Sequence, residues 1–351
     1  MEPPPVQYVT TSDGFNIAYT VCGEGRPFVF MPWPFSHRGL MWRLESSRPL
    51  LEALAARFRL VQYDSRGQGM STRGLPEYHS MDDYLLDLEA VVERLGLDRF
   101  VLCGAPLFGH VAVRYAVRHP ERVEALILGD VAIVTAWGAE VYQEIARRDW
   151  DLFLHTFASS FSLQGAPFEI AYWRESLNQD DFFRVIQAAR VSSIAPLLPE
   201  LKVPTLILAT RRLTPDQPVS HVAEQVQAMA AIIPNARLIL YDGFGRVWFS
   251  AGPEPPAAVL AIEEFLKDLP PHEPAERPEE AAASPDNLSQ RQRQVLRLVA
   301  QGRTNREIAD ELVLSERTVQ RHVAEVYLKI GARNRAEATA FALGKLPPNA
   351  T

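Results

Sequence analysis

The segment from Phe100 to Pro120, FVLCGAPLFGHVAVRYAVRHP, restricts the fold more than any other part of this chain. A short apolar run, Phe100 to Cys103, reaches Gly104 and is followed by a helical pattern from Phe108 that stops at Pro120. So short an apolar run, bounded by glycine, reads as a buried strand. Strand, sharp turn and helix in that order make half of a βαβ unit, whose crossover sets the next strand parallel to the first. The same alternation fills the first 131 residues. Strands are expected at Phe15 to Val21, Phe28 to Met31, Leu60 to Tyr63 and Val123 to Leu128. Helices are expected near Leu50 to Phe58 and Met81 to Leu95, with Ser80 as N-cap of the second. The pattern resumes with strands at Thr205 to Ala209 and Leu238 to Tyr241 and a helix between them, His221 to Ile233. The expected class is α/β, a doubly wound, mostly parallel sheet.

Between the two stretches the alternation stops. Residues 132–200 are rich in aromatics: Trp137, Tyr142, Trp150, Phe153, Phe157, Phe161, Phe168, Tyr172, Trp173, Phe182 and Phe183. They read as several helices with breaks around Gly165 to Pro167 and Pro196 to Pro199. Most of these rings are expected to form the core of that helical layer, and some to line the space beneath it. Residues 270–286, PPHEPAERPEEAAASPD, lack apolar periodicity and read as a charged, semi-extended linker.

The two cysteines, Cys22 and Cys103, have no metal-ligand spacing and form no disulfide framework, which fits a reducing cytoplasmic setting. No metal or cofactor is expected. The first residues, MEPPPVQYV, do not read as a signal peptide, and no apolar run has the roughly 18 residues of a membrane span.

Three further segments give the fold a family. YDSRGQGMS at 63–71 resembles the D-x-R-G-x-G-x-S turn of α/β-hydrolases, and MPWPF at 31–35 stands where those proteins carry an oxyanion-hole loop. GAPLF at 104–108 stands where they carry the nucleophile elbow, G-x-S-x-G. The resemblance implies the α/β-hydrolase fold over 1–131 and 201–269 with a helical cap at 132–200. It places Pro106 at the nucleophile position. The acid position falls on Leu213, or on Arg212 if the turn is shorter, and the histidine position in DGFGRVWF falls on Arg246. Proline has no hydroxyl, and arginine stays protonated and cannot be a general base. With all three positions vacated, the expectation is a domain that is not an enzyme. The N–H groups of Trp33 and Leu107 correspond to the oxyanion donors. Cys103, Asp130, His37, His110 and His155 are the remaining candidates for catalysis, and inert or structural roles suit them better.

The segment from Asn287 onward has helix-turn-helix geometry. Ser289 and Gln292 make a capping box, Val295, Leu296, Leu298 and Val299 give a first apolar face, and Gly302 ends that helix. Asn305 to Leu312 is a second helix. Ser315 caps a third, Glu316 to Ile330, whose Val319, Val323, Val326 and Ile330 face the core. The whole segment resembles the LuxR-type DNA-binding domain through LSQRQRQVL, NREIA, SERTVQRH and KIG. It carries 11 Lys and Arg against 6 Asp and Glu, a net of +5; the linker carries −4, which leaves −8 on the rest of a chain whose total is −7. A basic end on an acidic body is the electrostatic footprint of DNA binding at one end.

The LuxR resemblance implies double-stranded DNA as partner. Asn305, Arg306, Thr318 and His322 would contact its backbone, and Gln320 and Arg321, with Arg317, would read bases. It further implies a homodimer through the last helix, Arg335 to Leu343, on a near-palindromic operator. The joint reading is a one-component regulator. Its hydrolase-like domain senses a small, mostly apolar effector in a site walled by Trp33, Phe35, Pro106, Leu107, Trp137 and Leu213, with Arg246 as the charged group. The alternatives are an active hydrolase with a non-standard nucleophile and a ligand-free dimerisation scaffold.

Overall fold

The strands of the computed structural model are β1 (Gln7–Thr10), β2 (Asn16–Cys22), β3 (Pro27–Phe30), β4 (Arg59–Tyr63), β5 (Phe100–Gly104), β6 (Val123–Gly129), β7 (Thr205–Arg212) and β8 (Ala236–Asp242). The structure describes residues 2–33, 35–133, 140–161, 167–212, 220–242, 256–269, 288, 290–312, 319, 322–323, 326–327, 330, 332 and 335–343. The strands form one sheet in the order β1-β2-β4-β3-β5-β6-β7-β8. β2 pairs antiparallel with β1 and β4, and every pair from β4 onward is parallel. β1 adds an antiparallel edge strand that sequence pattern did not suggest. Its side chains are mostly exposed, so it lacks the continuous apolar signature of a buried strand.

Helices cover both faces because each presents one apolar stripe. Leu50, Leu51 and Leu54 of α2 (Arg48–Ala55) and Val259, Ile262 and Phe265 of α10 (Ala257–Lys267) close one face. The other is closed by α3 (Asp83–Arg94) through Leu85, Leu88 and Val91, α4 (Gly109–Arg118) through Val111 and Tyr115, and α9 (His221–Ile232) through Val226 and Met229. The doubly wound sheet expected from the sequence is the sheet observed. Ser80 does not cap α3 as expected. The helix begins at Asp83, and the Ser80 hydroxyl and N–H both donate to the Asp83 carboxylate, which holds the approach rather than the first turn.

Among its described residues the aromatic segment forms four helices, α5 (Glu140–Arg148), α6 (Trp150–Phe161), α7 (Pro167–Ser176) and α8 (Gln179–Arg190), followed by a 3-10 turn at Ala195–Glu200 that contains Pro196 and Pro199. Asn178 caps α8 by accepting the Asp181 N–H, a break in addition to the two expected from proline and glycine. Phe153, Leu154, Phe182 and Ile186 make a cluster of their own, joined by Trp150, Trp173 and Phe183.

The chain divides into two compact units, Met1–His272 and Glu273–Thr351. In the second, α11 (Gln290–Ala300) and α12 (Asn305–Leu312) precede a last helix, α13 (Arg335–Ala342). Val295, Leu296, Leu298 and Val299 pack with Ile308, Val319, Val323, Val326 and Ile330, the two apolar faces that the sequence pattern predicts. Gly302, with φ 82°, ends α11 while Arg303 N–H returns to the Leu298 carbonyl. Thr304 and Glu307 form a reciprocal capping box on α12.

Candidate functional site

The carboxyl ends of β3, β5 and β6 lie side by side in the sheet. Three non-glycine residues adopt positive φ among the described residues, Phe35 (63°), Leu107 (71°) and Asp130 (51°), and each stands in the segment leaving one of these strands. A left-handed backbone costs a bulky residue on the order of 1–3 kcal/mol and persists only where its surroundings force it, most often at functional sites. Ligands of doubly wound sheets bind in the crevice at this same edge.

At the elbow the strain has moved. Proline cannot adopt positive φ, and Leu107, one residue later, carries it instead. The turn is tight, with Phe108 N–H on the Pro106 carbonyl at 3.0 Å and Gly109 N–H on the Ala105 carbonyl at 2.7 Å. α4 approaches β5 closely because a Cβ on Gly104 would lie 2.7 Å from the Gly109 Cα. On its far side Gly109 meets Val131, where an added Cβ would stand 2.3 Å from a methyl group. Phe108 stands at the second glycine position of the G-x-S-x-G pattern; the glycine that permits the approach is Gly109, and Phe108 is fully buried edge-on against Tyr84.

The segment after β3 is fixed by Asp64, the first residue of the D-x-R-G turn. Its carboxylate accepts the Ser36 hydroxyl (2.8 Å), the Arg38 N–H (2.9 Å), the Arg38 Nε (3.0 Å) and the Met70 N–H (3.0 Å). Gly69, with φ 50°, is required there, since a Cβ would lie 2.3 Å from the Asp64 carboxylate. Arg66 of the same turn reaches Asp87 at 2.7 Å and Asp13 at 2.7 Å. The sequence motif pointed to Asp64 and Arg66, but nothing local marked Ser36, Arg38 or Asp87 as their partners, because those contacts span 21 to 28 positions of chain.

Of the expected wall residues, Pro106 and Leu107 are buried at the elbow, Trp33 is half-buried beside the α2 and α10 core, and Phe35 is buried in the cap cluster. Trp137, Leu213 and Arg246 lie outside the described residues. Cys103 is fully buried within β5, and burial raises its thiol pKa well above the ordinary value, which removes it as a nucleophile. His110 is fully buried, with Nε2 2.8 Å from the Ala132 carbonyl. A carbonyl only accepts, so that nitrogen carries the proton, and burial lowers the pKa of the ring. Burial likewise lowers that of His37, and His155 is exposed on the cap. Asp130 accepts the Thr210 N–H at 3.0 Å beyond β6. Among the described residues no group of three His, Cys, Asp or Glu could hold a metal ion, and no helix is long and apolar enough to cross a membrane.

Residues 38–237 match the family model described as the alpha/beta hydrolase fold. The chain belongs to the α/β-hydrolase fold family. Residues 286–342 match the model described as bacterial regulatory proteins, luxR family, which makes the second unit a helix-turn-helix DNA-binding domain. A non-heme haloperoxidase of Rhodococcus erythropolis is 28% identical over 265 residues, 68% of this chain and 92% of that protein. A bifunctional esterase/perhydrolase of Acinetobacter calcoaceticus is 28% identical over 264 residues, 68% of this chain and 91% of that protein. The crystal structure of the enol-lactonase from Burkholderia xenovorans LB400 superposes with a TM-score of 0.60 at 20% identity, covering 75% of this chain and all of that one.

These relatives correct one expectation. The vacated positions Pro106, Leu213 and Arg246 implied a chain that is not an enzyme. The relatives matching two thirds of it are named as a haloperoxidase and an esterase, and they point to hydrolase activity in this domain. The inference failed because an empty triad position excludes one nucleophile, not every route to hydrolysis. In the DNA-binding unit, Arg306 is exposed and Asn305 and His322 are half-buried, while Arg317, Thr318, Gln320 and Arg321 lie outside the described residues.

Proposed function

We propose that this protein is a one-component transcriptional regulator, acting in the cytoplasm as a homodimer on a near-palindromic operator. Its hydrolase-fold domain binds a small, mostly apolar molecule at the carboxyl ends of β3, β5 and β6, and binding alters operator affinity. The observation that carries this reading is the union in one chain of a hydrolase-fold domain and a LuxR-type DNA-binding domain. Trp33, Pro106 and Leu107 form the apolar floor and Phe35 joins floor to cap; Trp137, Leu213 and Arg246 are assigned to the same site from their sequence positions. Asn305, Arg306, Thr318 and His322 hold the DNA backbone, and Gln320 and Arg321, with Arg317, read base edges. The test uses the full-length protein with an operator recovered by binding-site selection and p-nitrophenyl butyrate and hexanoate as probes. An ester that raises the melting temperature should also change operator affinity. Esters that bind tightly and leave operator affinity unchanged at every concentration would refute the regulatory link.

The enzymatic relatives favour a second reading, hydrolysis in the same domain. Residue 106 cannot be acylated, so the carbonyl is attacked by another group or by water. Turnover of the same esters above a buffer blank is expected, with no acyl adduct on the peptide containing Pro106. A blank-level rate for all short-chain esters would remove this second reading and leave the first standing.

A further inference from the structure

We propose that residues 35–38 form a strained latch that couples closure of the cap to the loop leaving β3. The Phe35 ring stacks on Trp173 of α7 at 5.2 Å, on Phe182 of α8 at 5.9 Å and lies 6.3 Å from Phe153 of α6, so one residue of the core loop touches three cap helices. It is 2% exposed and does this with φ 63°. The next residues are held to the core. Ser36 N–H donates to Gln68 Oε1 at 3.0 Å and its hydroxyl to Asp64, and Arg38 donates to Asp64 through its N–H and its Nε.

This arrangement is unfavourable in itself. Besides the left-handed phenylalanine, the buried atoms His37 Nδ1, Arg38 Nη1 and Gln68 Nε2 have no hydrogen-bond partner among the described residues. A strained dihedral of this kind persists only where the surrounding contacts over-determine it. The cap side is fixed as well. Gly69 N–H donates to the Ser176 carbonyl at 2.8 Å, Arg73 donates to the Glu175 carbonyl, and the Asp181 carboxylate accepts the Gly74 and Leu75 N–H groups at 3.1 and 2.7 Å. The corner between α7 and α8 is therefore tied to the core beside Phe35, and lifting the cap breaks these bonds and withdraws the Phe35 ring from the aromatic cluster together. Once out, it is free to return to negative φ, and the backbone between Trp33 and Arg38 shifts with it. Cap position and loop conformation are then one equilibrium, whether or not a ligand is bound, and the coupling is reciprocal.

Native-state hydrogen exchange on the full-length protein at low denaturant tests this without altering the fold. The Ser36 and Arg38 amides should open in the same cooperative unit as cap amides such as those of Asp181 and Phe182, with the same denaturant dependence. A Phe182→Ala variant should accelerate exchange at Ser36 and Arg38 by about tenfold and leave β5 and α3 unchanged. If Ser36 and Arg38 exchange only with global unfolding of the sheet while the cap opens separately, in wild type or in the variant, the latch does not exist.

Discussion

Proline at residue 106 moves the strain of the turn to Leu107, and the turn closes over a contact that leaves no room for a methyl group. Gly109 backs directly onto Val131, so Gly109→Ala must displace α4 or the strand end beyond β6. The expected loss is about 1–3 kcal/mol of unfolding free energy, measured by urea denaturation. A second residue-scale consequence concerns protons. The His79 side chain is buried, edge-on to the Tyr84 ring at 4.6 Å, with Nδ1 3.5 Å from the Asp83 carboxylate and neither ring nitrogen in a hydrogen bond among the described residues. Burial pushes its pKa down to about 4, with Asp83 opposing. A folded value below the ordinary His value of about 6.5 means that the unfolded chain takes up the proton first. Stability contributed by His79 is therefore complete above the unfolded value and is lost as pH falls toward the folded one. Between pH 7.5 and 5 this amounts to about 2 kcal/mol from His79. His79→Phe should preserve the ring contact and flatten the melting temperature over that range. An unchanged slope in the variant would assign the pH dependence to other groups.

At the scale of elements, the cap is bound to the core by hydrogen bonds as well as by its aromatic layer. Asp181 is 1% exposed at the start of α8 and accepts two backbone N–H groups of the segment that follows the glycine turn. Asp181→Ala orphans the buried Leu75 N–H and leaves that of exposed Gly74 to water, and is expected to cost about 1–3 kcal/mol. Limited proteolysis should then cut the α7–α8 corner before it cuts α3 or α4. Cleavage in wild-type order would mean that side-chain packing alone carries the cap. The sheet needs no such fastening. β5 and β6 are buried along their whole length, and α3 and α9 cover one face while α2 and α10 cover the other.

For the whole molecule, charge divides the labour. The segment from Asn287 carries +5 and the remainder excluding the linker −8, so duplex DNA is attracted to the terminal segment and repelled by the acidic remainder. Arg306→Ala, which removes an exposed charge at the start of α12, should weaken binding to all sequences and reduce the salt slope by about one. Arg321→Ala should cost about 1–3 kcal/mol on the operator and relax preference at one base position, read by competition among operator variants. Equal losses on operator and random DNA for Arg321→Ala would reassign it to the backbone.

The amino-acid sequence alone determined the layered sheet and the helix-turn-helix core. Those features rest on local periodicity: short apolar-rich runs within β3 to β7, and Val319, Val323, Val326 and Ile330 at helical spacing. It also showed that residue 106 has no hydroxyl. It could not show that Leu107 carries the positive φ, or that Gly109 rather than residue 108 meets the neighbouring segment, because both depend on how closely α4 is pressed against β5 and Val131. Phe35 read as a wall of the binding space, and only the packed structure places it among Phe153, Trp173 and Phe182, residues more than a hundred positions away. The Asp64 hub has the same origin. A carboxylate in a glycine-rich turn is visible in one dimension, whereas its partners Ser36 and Arg38 are chosen by the crossover that lays β4 beside β3.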